Sequence, residues 1–471
     1  MGDTGSTTSV TQVFSGRCLE RWRMYCGCAN NMRFPFFDDL TRQSFKRLPM
    51  TTEWTRFRKY ARRMREFAQY AVQDPPSPEV LSDMQLYTIN EPLFPNLKAL
   101  SWEGIAGSCI PFIPLFLSPR TTSIDLSFSS DSPITMVASM VTTLPTLCPD
   151  LQAISLFPLP RDPIIATAVS AMLLATNRNT LRELCVGSPL TEEASDVIYK
   201  LPNLHSLSMV IERETSLPSA SLPNLTGLGI ICDDEDDWPR VFHGTTFGKL
   251  KSVIFIPQSK QIGDFLGAFE RAALSSSVQN TLSEFCLYTS CSWNPNYSSL
   301  LPFTQLVELD IRFSCDSQCS SRLDDNIITD LARAMPKLEI LRLGDVPCRR
   351  ITIGVTTKGL VALSRHCPDL YILRIHLEVA SLSDQPAIPG IIPNTGPTAS
   401  RTDCALTDLE VGETPVPEGS ALAIALTLLH IFPRLDSIES IGEGWEEVEN
   451  AINISKWIID CSGKQRPLTV P

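Results

Sequence analysis

The chain holds 471 residues, 43% of them apolar and 20% charged, and its 40 Lys+Arg against 52 Asp+Glu leave a formal net charge of −12 at pH 7. That length exceeds what a single hydrophobic core serves, so either two to three ordinary domains or one long repeat array is expected. The longest nearly unbroken apolar run, Ala421 to Phe432, falls short of the ~18 residues a bilayer helix needs, and the Ile110–Leu117 run is broken by Pro111 and Pro114, so no membrane span is expected.

Residues 1–17 are rich in Gly, Ser and Thr and carry no apolar h-region, so no secretory signal is read there and a cytoplasmic or nuclear location is expected. The fifteen cysteines, odd in number and irregular in spacing, are then read as reduced. Residues 1–49 form a divergent N-terminal segment. Up to Glu66 there are thirteen Lys/Arg against six Asp/Glu, a balance of +7, which leaves −19 for the remaining chain. So acidic a body repels phosphate backbones, and nucleic acid is not expected as a partner. Residues 50–92 read as a basic amphipathic helical cap or linker. In Trp54–Ala68 the residues Trp54, Phe57, Ala61, Met64 and Ala68 recur at three- and four-residue spacing, while Arg56, Arg58, Lys59, Arg62, Arg63 and Arg65 mostly fill the other faces. Two readings of that helix stand: an apolar stripe docked on the rest of the protein beneath a solvated basic face, or a membrane or nucleic-acid contact.

Beyond residue 93 a short template recurs, often Pro-x-Leu-x-x-Leu-x-Leu. Its thirteen copies begin at Pro95, Ile124 (degenerate), Pro149, Leu181, Pro202, Pro223, Leu250, Leu282, Leu306, Pro336, Pro368, Leu406 and Pro433. The last two apolar positions of each copy alternate as on a strand, facing inward, and the first turns the chain into that strand. Successive first leucines lie 23 (181 to 204), 21 (204 to 225), 24 (282 to 306) and 32 (306 to 338) residues apart, the period of a leucine-rich repeat with some longer units. Return segments 133–144, 163–175, 191–201, 262–274, 326–335, 357–366 and 417–432 carry apolar residues at helical spacing, several behind Ser, Thr, Asp or Asn caps. Alternating strand and helix force parallel strands. The expected fold is an α/β leucine-rich-repeat solenoid over 93–445, a curved parallel sheet on the concave side and helices on the convex side. Residues 379–403 are read as a flexible loop and 446–471 as a C-terminal cap and tail. Leu207, Leu228, Leu309, Leu341 and Leu373 should stack as one buried ladder.

The stretch Ile353 to Ile375 contains Thr356-x-x-Gly359-Leu360, Leu363-x-x-x-Cys367-Pro368-x-Leu370 and Leu373-x-Ile375. It resembles the cysteine-containing repeat of leucine-rich-repeat F-box proteins, with a weaker echo at Leu144-Pro-Thr-Leu147-Cys148-Pro149-Asp-Leu151. Residues 54–65 are similar to the segment that joins F-box and repeats in fungal members, so the resemblance spans roughly residues 50 to 445. It implies a substrate-recognition subunit of a ubiquitin ligase that holds a protein target and a ligase adaptor. The departure is that residues 1–49 show no recognisable F-box; Cys18-Leu19-Glu20-Arg21-Trp22 is at best a remnant. The alternative is a stand-alone leucine-rich-repeat scaffold unconnected with ubiquitination.

No nucleophile elbow, Walker loop, His-Glu-x-x-His or dinucleotide fingerprint occurs, and the five histidines are scattered. No catalytic residue, cofactor or metal is expected. Cys26 and Cys28, and the set Cys286, Cys291, Cys315 and Cys319, lack paired C-x-x-C spacing and are read as structural thiols. Asp233–Asp237 reads as a solvated loop that could also attract a basic partner or a cation. The residues flanking the inward pair of each strand must face the other side of the sheet. In early repeats these are small or apolar, such as Ser206, Ser208, Gly227, Gly229 and Ile254. In later repeats they are Glu308, Asp310, Arg312, Arg342, Arg374, His376, Asp408 and Glu410. This charged set is the candidate protein-binding face; the competing reading is that neighbouring charges only pair with each other and keep the sheet solvated.

Overall fold

The computed structural model describes residues 50–69, 76–88, 91–212, 221–232, 241–242, 245–257, 265–290, 295–314, 323–344, 354–383, 404–411, 414–440 and 442–463. The chain divides into two compact units, Met1–Pro218 and Ser219–Pro471, and both are built as α/β leucine-rich-repeat solenoid.

The first unit runs α1 (Thr51–Ala61), β1 (Glu66–Gln69), α2 (Pro78–Tyr87), β2 (Ala99–Ile105), β3 (Ser123–Phe128), α3 (Ile134–Leu147), β4 (Ala153–Leu156), α4 (Pro163–Ala175), β5 (Glu183–Pro189), α5 (Glu192–Ile198) and β6 (Ser206–Ile211). The six strands pair parallel in chain order. Their register aligns Phe67, Leu100, Ile124, Ile154, Leu184 and Leu207 in one row. From Leu100 on, that row is buried. The first template position is buried too: Leu97, Leu151, Leu181 and Leu204 are all closed to solvent, and Thr121 fills it in the degenerate copy, donating its hydroxyl to Leu97 O at 3.2 Å. Helix starts follow their caps: Ser77 accepts from Val80 N, Asp162 from Ile164 N and Thr191 from Ala194 N.

A correction falls on the basic helix. It ends at Ala61 instead of continuing to Ala68, and Glu66–Gln69 is the first strand of the sheet. Asn96 Nδ2 donates to Arg62 O at 2.7 Å, and Arg65 O accepts from both Lys98 N and Ala99 N, so the backbone is drawn into the strand ladder. Phe67 then enters an aromatic cluster with Phe94, Trp102 and Phe116, ring centroids 5.0–6.3 Å away. Packing that ring against its aromatic neighbours outweighs the helical spacing of Met64 and Ala68.

The second unit runs β7 (Ser221–Leu222), β8 (Gly227–Cys232), β9 (Thr246–Phe247), β10 (Ser252–Pro257), α6 (Phe265–Ser275), β11 (Glu284–Ser290), β12 (Glu308–Ser314), α7 (Asp325–Ala334), β13 (Ile340–Leu343), α8 (Thr357–His366), β14 (Ile372–Ile375), α9 (Val379–Ser383), β15 (Asp408–Val411), α10 (Ala421–Ile431), β16 (Ser437–Ser440) and α11 (Trp445–Gly463). Strands β8 and β10 to β16 pair parallel in order, and β7 pairs β9 apart from them. Leu228, Val253, Phe285, Leu309, Leu341, Leu373, Leu409 and Ile438 stand in register, all buried, so the expected leucine ladder holds within each unit. Between repeats one carbonyl takes two amides: Glu339 O accepts from Tyr371 N and Ile372 N, and Tyr371 O from Thr407 N and Asp408 N.

The motif residues of the cysteine-containing repeat have local causes. Thr356 caps α8, and Asp325 of α7 accepts from Thr356 N (2.9 Å) and Gly359 N (3.0 Å). A Cβ on Gly359 would meet Val355 Cγ1 at 2.5 Å and that carboxylate at 2.8 Å, so only glycine fits. The Cys367 thiol donates toward Met335 O at 3.6 Å, and burial pushes its pKa up to about 12; Cys148 in the first unit is likewise pushed up to about 11. Within 379–403, Val379–Ser383 is helical, a correction to the loop reading; 384–403 lies outside the described residues, as do residues 1–49, Asp233–Asp237, Cys291, Cys315 and Cys319.

Candidate functional site

The strands β12 to β15 carry the candidate residues on short, rigid elements. Register places Asp310, Arg342, Arg374 and Glu410 side by side, in the order acid, base, base, acid. Adjacent strands are only ~4.8 Å apart, so these side chains must interact. Arg312, two residues beyond Asp310 on the same side of β12, forks onto it with Nε to Oδ1 at 2.9 Å and Nη2 to Oδ2 at 2.8 Å. Its guanidinium also lies 5.3 Å from the ring centroid of Tyr288, the residue it pairs with on β11. Burial acts to lower the pKa of Arg312, yet the hydrogen bonds and charge of Asp310, helped by Tyr288 and Glu410, outweigh this and hold it above the ordinary arginine value. Arg342 stands at the centre: Nη1 is 3.6 Å from Glu308 and 3.8 Å from Asp310, and Nε is 3.6 Å from Glu410. Arg374 Nε donates to Glu410 Oε2.

Three arginines and three carboxylates thus form one network with no net charge. It is drier than a surface network: the Asp310 side chain is 0% exposed, Arg342 16%, Arg374 20% and Arg312 30%. Asp408 sits one row over, its carboxylate accepting from the Thr407 and Ser437 hydroxyls, each at 2.6 Å.

Two expected surface residues need correction. Asp310 is fully buried, because the arginines of its own and the next strand fold over it. His376 is also buried, its ring seated on Gly344, whose backbone has φ +92 and where a Cβ would approach His376 Cδ2 to 3.2 Å. Cys286, in register with Asp310, is buried as well. Tyr288, which the sequence reading passed over, is part of the site. Its place two residues after Cys286, opposite Arg312, was available from the period-two rule.

Among the described residues no group of three His, Cys, Asp or Glu side chains is placed to hold a metal ion, and no helix is long and apolar enough to cross a membrane. No family profile matches the chain, and no curated protein matches it. Among solved structures the chain is similar to a crystal structure of an internalin from Listeria monocytogenes, at 12% identity over 79% of this chain and 87% of that one, with a TM-score of 0.35.

Proposed function

We propose that the chain is a non-catalytic protein-interaction scaffold that recognises a protein target on the open sheet face of its second unit. The observation that carries this reading is the state of Arg312 and Arg374. Each is fixed by a carboxylate of its own chain, yet Nη1 of Arg312 and both terminal nitrogens of Arg374 meet no acceptor among the described residues. Both side chains remain partly exposed. A side chain already held by its neighbours loses little rotamer freedom when a partner arrives, and arginine is favoured at the centre of protein interfaces. Carboxylate or carbonyl oxygens on the target fit the free guanidinium edges.

The narrower reading is a substrate receptor similar to F-box ubiquitin-ligase subunits, and its support is the cysteine-containing repeat at 353–375. Co-purification of the full-length transcript product with the ligase adaptor is the expected result; its reproducible absence would favour the stand-alone scaffold. For the face itself, Arg374 alone is changed to Gln, which leaves Glu410 beside Arg342. Arg312 and Arg342 are left in place because removing either takes a partner from the buried Asp310. The set of co-purifying proteins should lose members relative to the parent at unchanged Tm. An identical set would remove this face from consideration.

A further inference from the structure

A second cluster of charge lies in the first unit, at the end of the sheet where the strands begin. Arg65, Lys98 and Arg120 are all exposed there. Two of them converge on one residue: Arg65 Nη1 donates to Asn96 O at 3.3 Å, and Arg120 Nη1 to Asn96 Oδ1 at 2.7 Å. Arg65 O accepts from Lys98 N at 2.6 Å, which ties the backbone of Lys98 to that of Arg65. Like charges gathered on neutral oxygens repel one another unless an anion joins them. Among the described residues no carboxylate lies within ion-pair distance of Arg65, Lys98 or Arg120. The contrast with the second unit is direct, since each arginine of the sheet-face network has its carboxylate.

The patch continues onto α1. Arg62 shares Glu91 with Arg58, at 3.6 and 4.0 Å, whereas Arg56, Lys59 and Arg63 are exposed and make no ion pair among the described residues. Tyr60, exposed on the same helix, lies under the Arg63 guanidinium at 5.9 Å.

We propose that this surface, centred on Asn96, docks an acidic peptide segment of a partner protein, its Asp and Glu carboxylates bridging Arg65, Lys98 and Arg120. Charge complementarity selects the class. The first three strands span only about 10 Å, which suits a short run of carboxylates. Residues 67–471, Lys98 and Arg120 included, carry −19 in sum, and that acidity repels an extended polyanion such as nucleic acid or an anionic membrane.

The test uses the full chain and a fluorescein-labelled peptide of alternating Glu and Gly, read by fluorescence anisotropy at low salt. The parent should bind it, with affinity falling as NaCl is added. The triple change Arg65→Glu, Lys98→Glu and Arg120→Glu should weaken binding at least tenfold, and the milder Arg65→Gln, Lys98→Gln, Arg120→Gln set, which keeps polar side chains around Asn96, at least threefold at unchanged Tm. Arg333→Glu, an exposed charge of the second unit, should change it less than twofold. Three results would overturn the proposal: equal weakening by Arg333→Glu, tighter binding of a single-stranded oligonucleotide or of phosphatidylserine vesicles than of the peptide, or occupation of the patch by a second copy of the chain, seen as concentration-dependent self-association that the triple change abolishes.

Discussion

The two units share one scaffold and differ on the open face of their sheets. In the first unit the row facing away from the leucines reads Ala68, Ser101, Asp125, Ser155, Cys185 and Ser208. In the second it passes through Cys286, Asp310, Arg342, Arg374 and Glu410 to Glu439. Small side chains leave the first row shallow, and that row's one carboxylate, Asp125, accepts a hydrogen bond from Ser101 at 3.3 Å. Long side chains on the second face fold over one another and close an ion network. Identical backbone ladders therefore carry two chemically different surfaces, because the inward positions set the fold and leave the outward ones free to vary.

The largest expected effect concerns what the units share. Leu341→Ala in the second and Leu184→Ala in the first should each cost about 2–5 kcal/mol in urea unfolding, since both side chains are buried in the same inward row. A parent-like curve for either would break the register described here. The next effect separates the faces: Asp310→Ala should cost about 3 kcal/mol, leaving Arg312 and Arg342 without their shared carboxylate, while Ser155→Ala in the first unit should cost under about 0.5 kcal/mol. Equal costs would erase the distinction.

A smaller effect has the opposite sign. Burial raises the Asp125 pKa, partly offset by hydrogen bonds from Ser155 and Ser101, so the folded state holds its proton more readily than the unfolded chain does. Its charged form thus weakens folding at neutral pH, and stability rises as pH falls through the folded-state pKa. Asp125→Asn should stabilise by at most about 1 kcal/mol at pH 7, with the gain shrinking toward acid; a gain independent of pH would remove the carboxylate as its cause. The smallest difference is expected for the thiols: Cys148 and Cys367, one per unit, should both resist alkylation at pH 8 until the chain unfolds, read peptide by peptide in a mass spectrometer. Rapid labelling of only one would show the two scaffolds to be unlike.

Much of this was legible before any coordinates. All thirteen template copies lie on strands of the sheets, and the return segments 163–175 and 357–366 match their helices end to end. A leucine at fixed phase names both its row and its face, so these elements needed no tertiary information. The strand Glu66–Gln69 escaped because Phe67 and Gln69 stand where leucines would, and the preceding helical spacing ran on into it. Period two put Asp310 and His376 on the right side of the sheet but not at the right depth. Depth depends on which long side chains lie across from them and on Gly344 opening a seat for the imidazole, and one repeat read alone contains neither.

A double-mutant cycle on Asp310 and Arg312 bears most directly on the claim that the second face is a coupled, pre-organised network. Unfolding free energies of the parent, Asp310→Ala, Arg312→Ala and the double variant give the coupling, with Ser101 and Asp125 of the first unit as the matched cycle. The expected coupling is about 1.5–3 kcal/mol for the forked pair in the second unit and under about 1 kcal/mol for the pair in the first. A coupling below about 0.5 kcal/mol between Asp310 and Arg312 would contradict that claim.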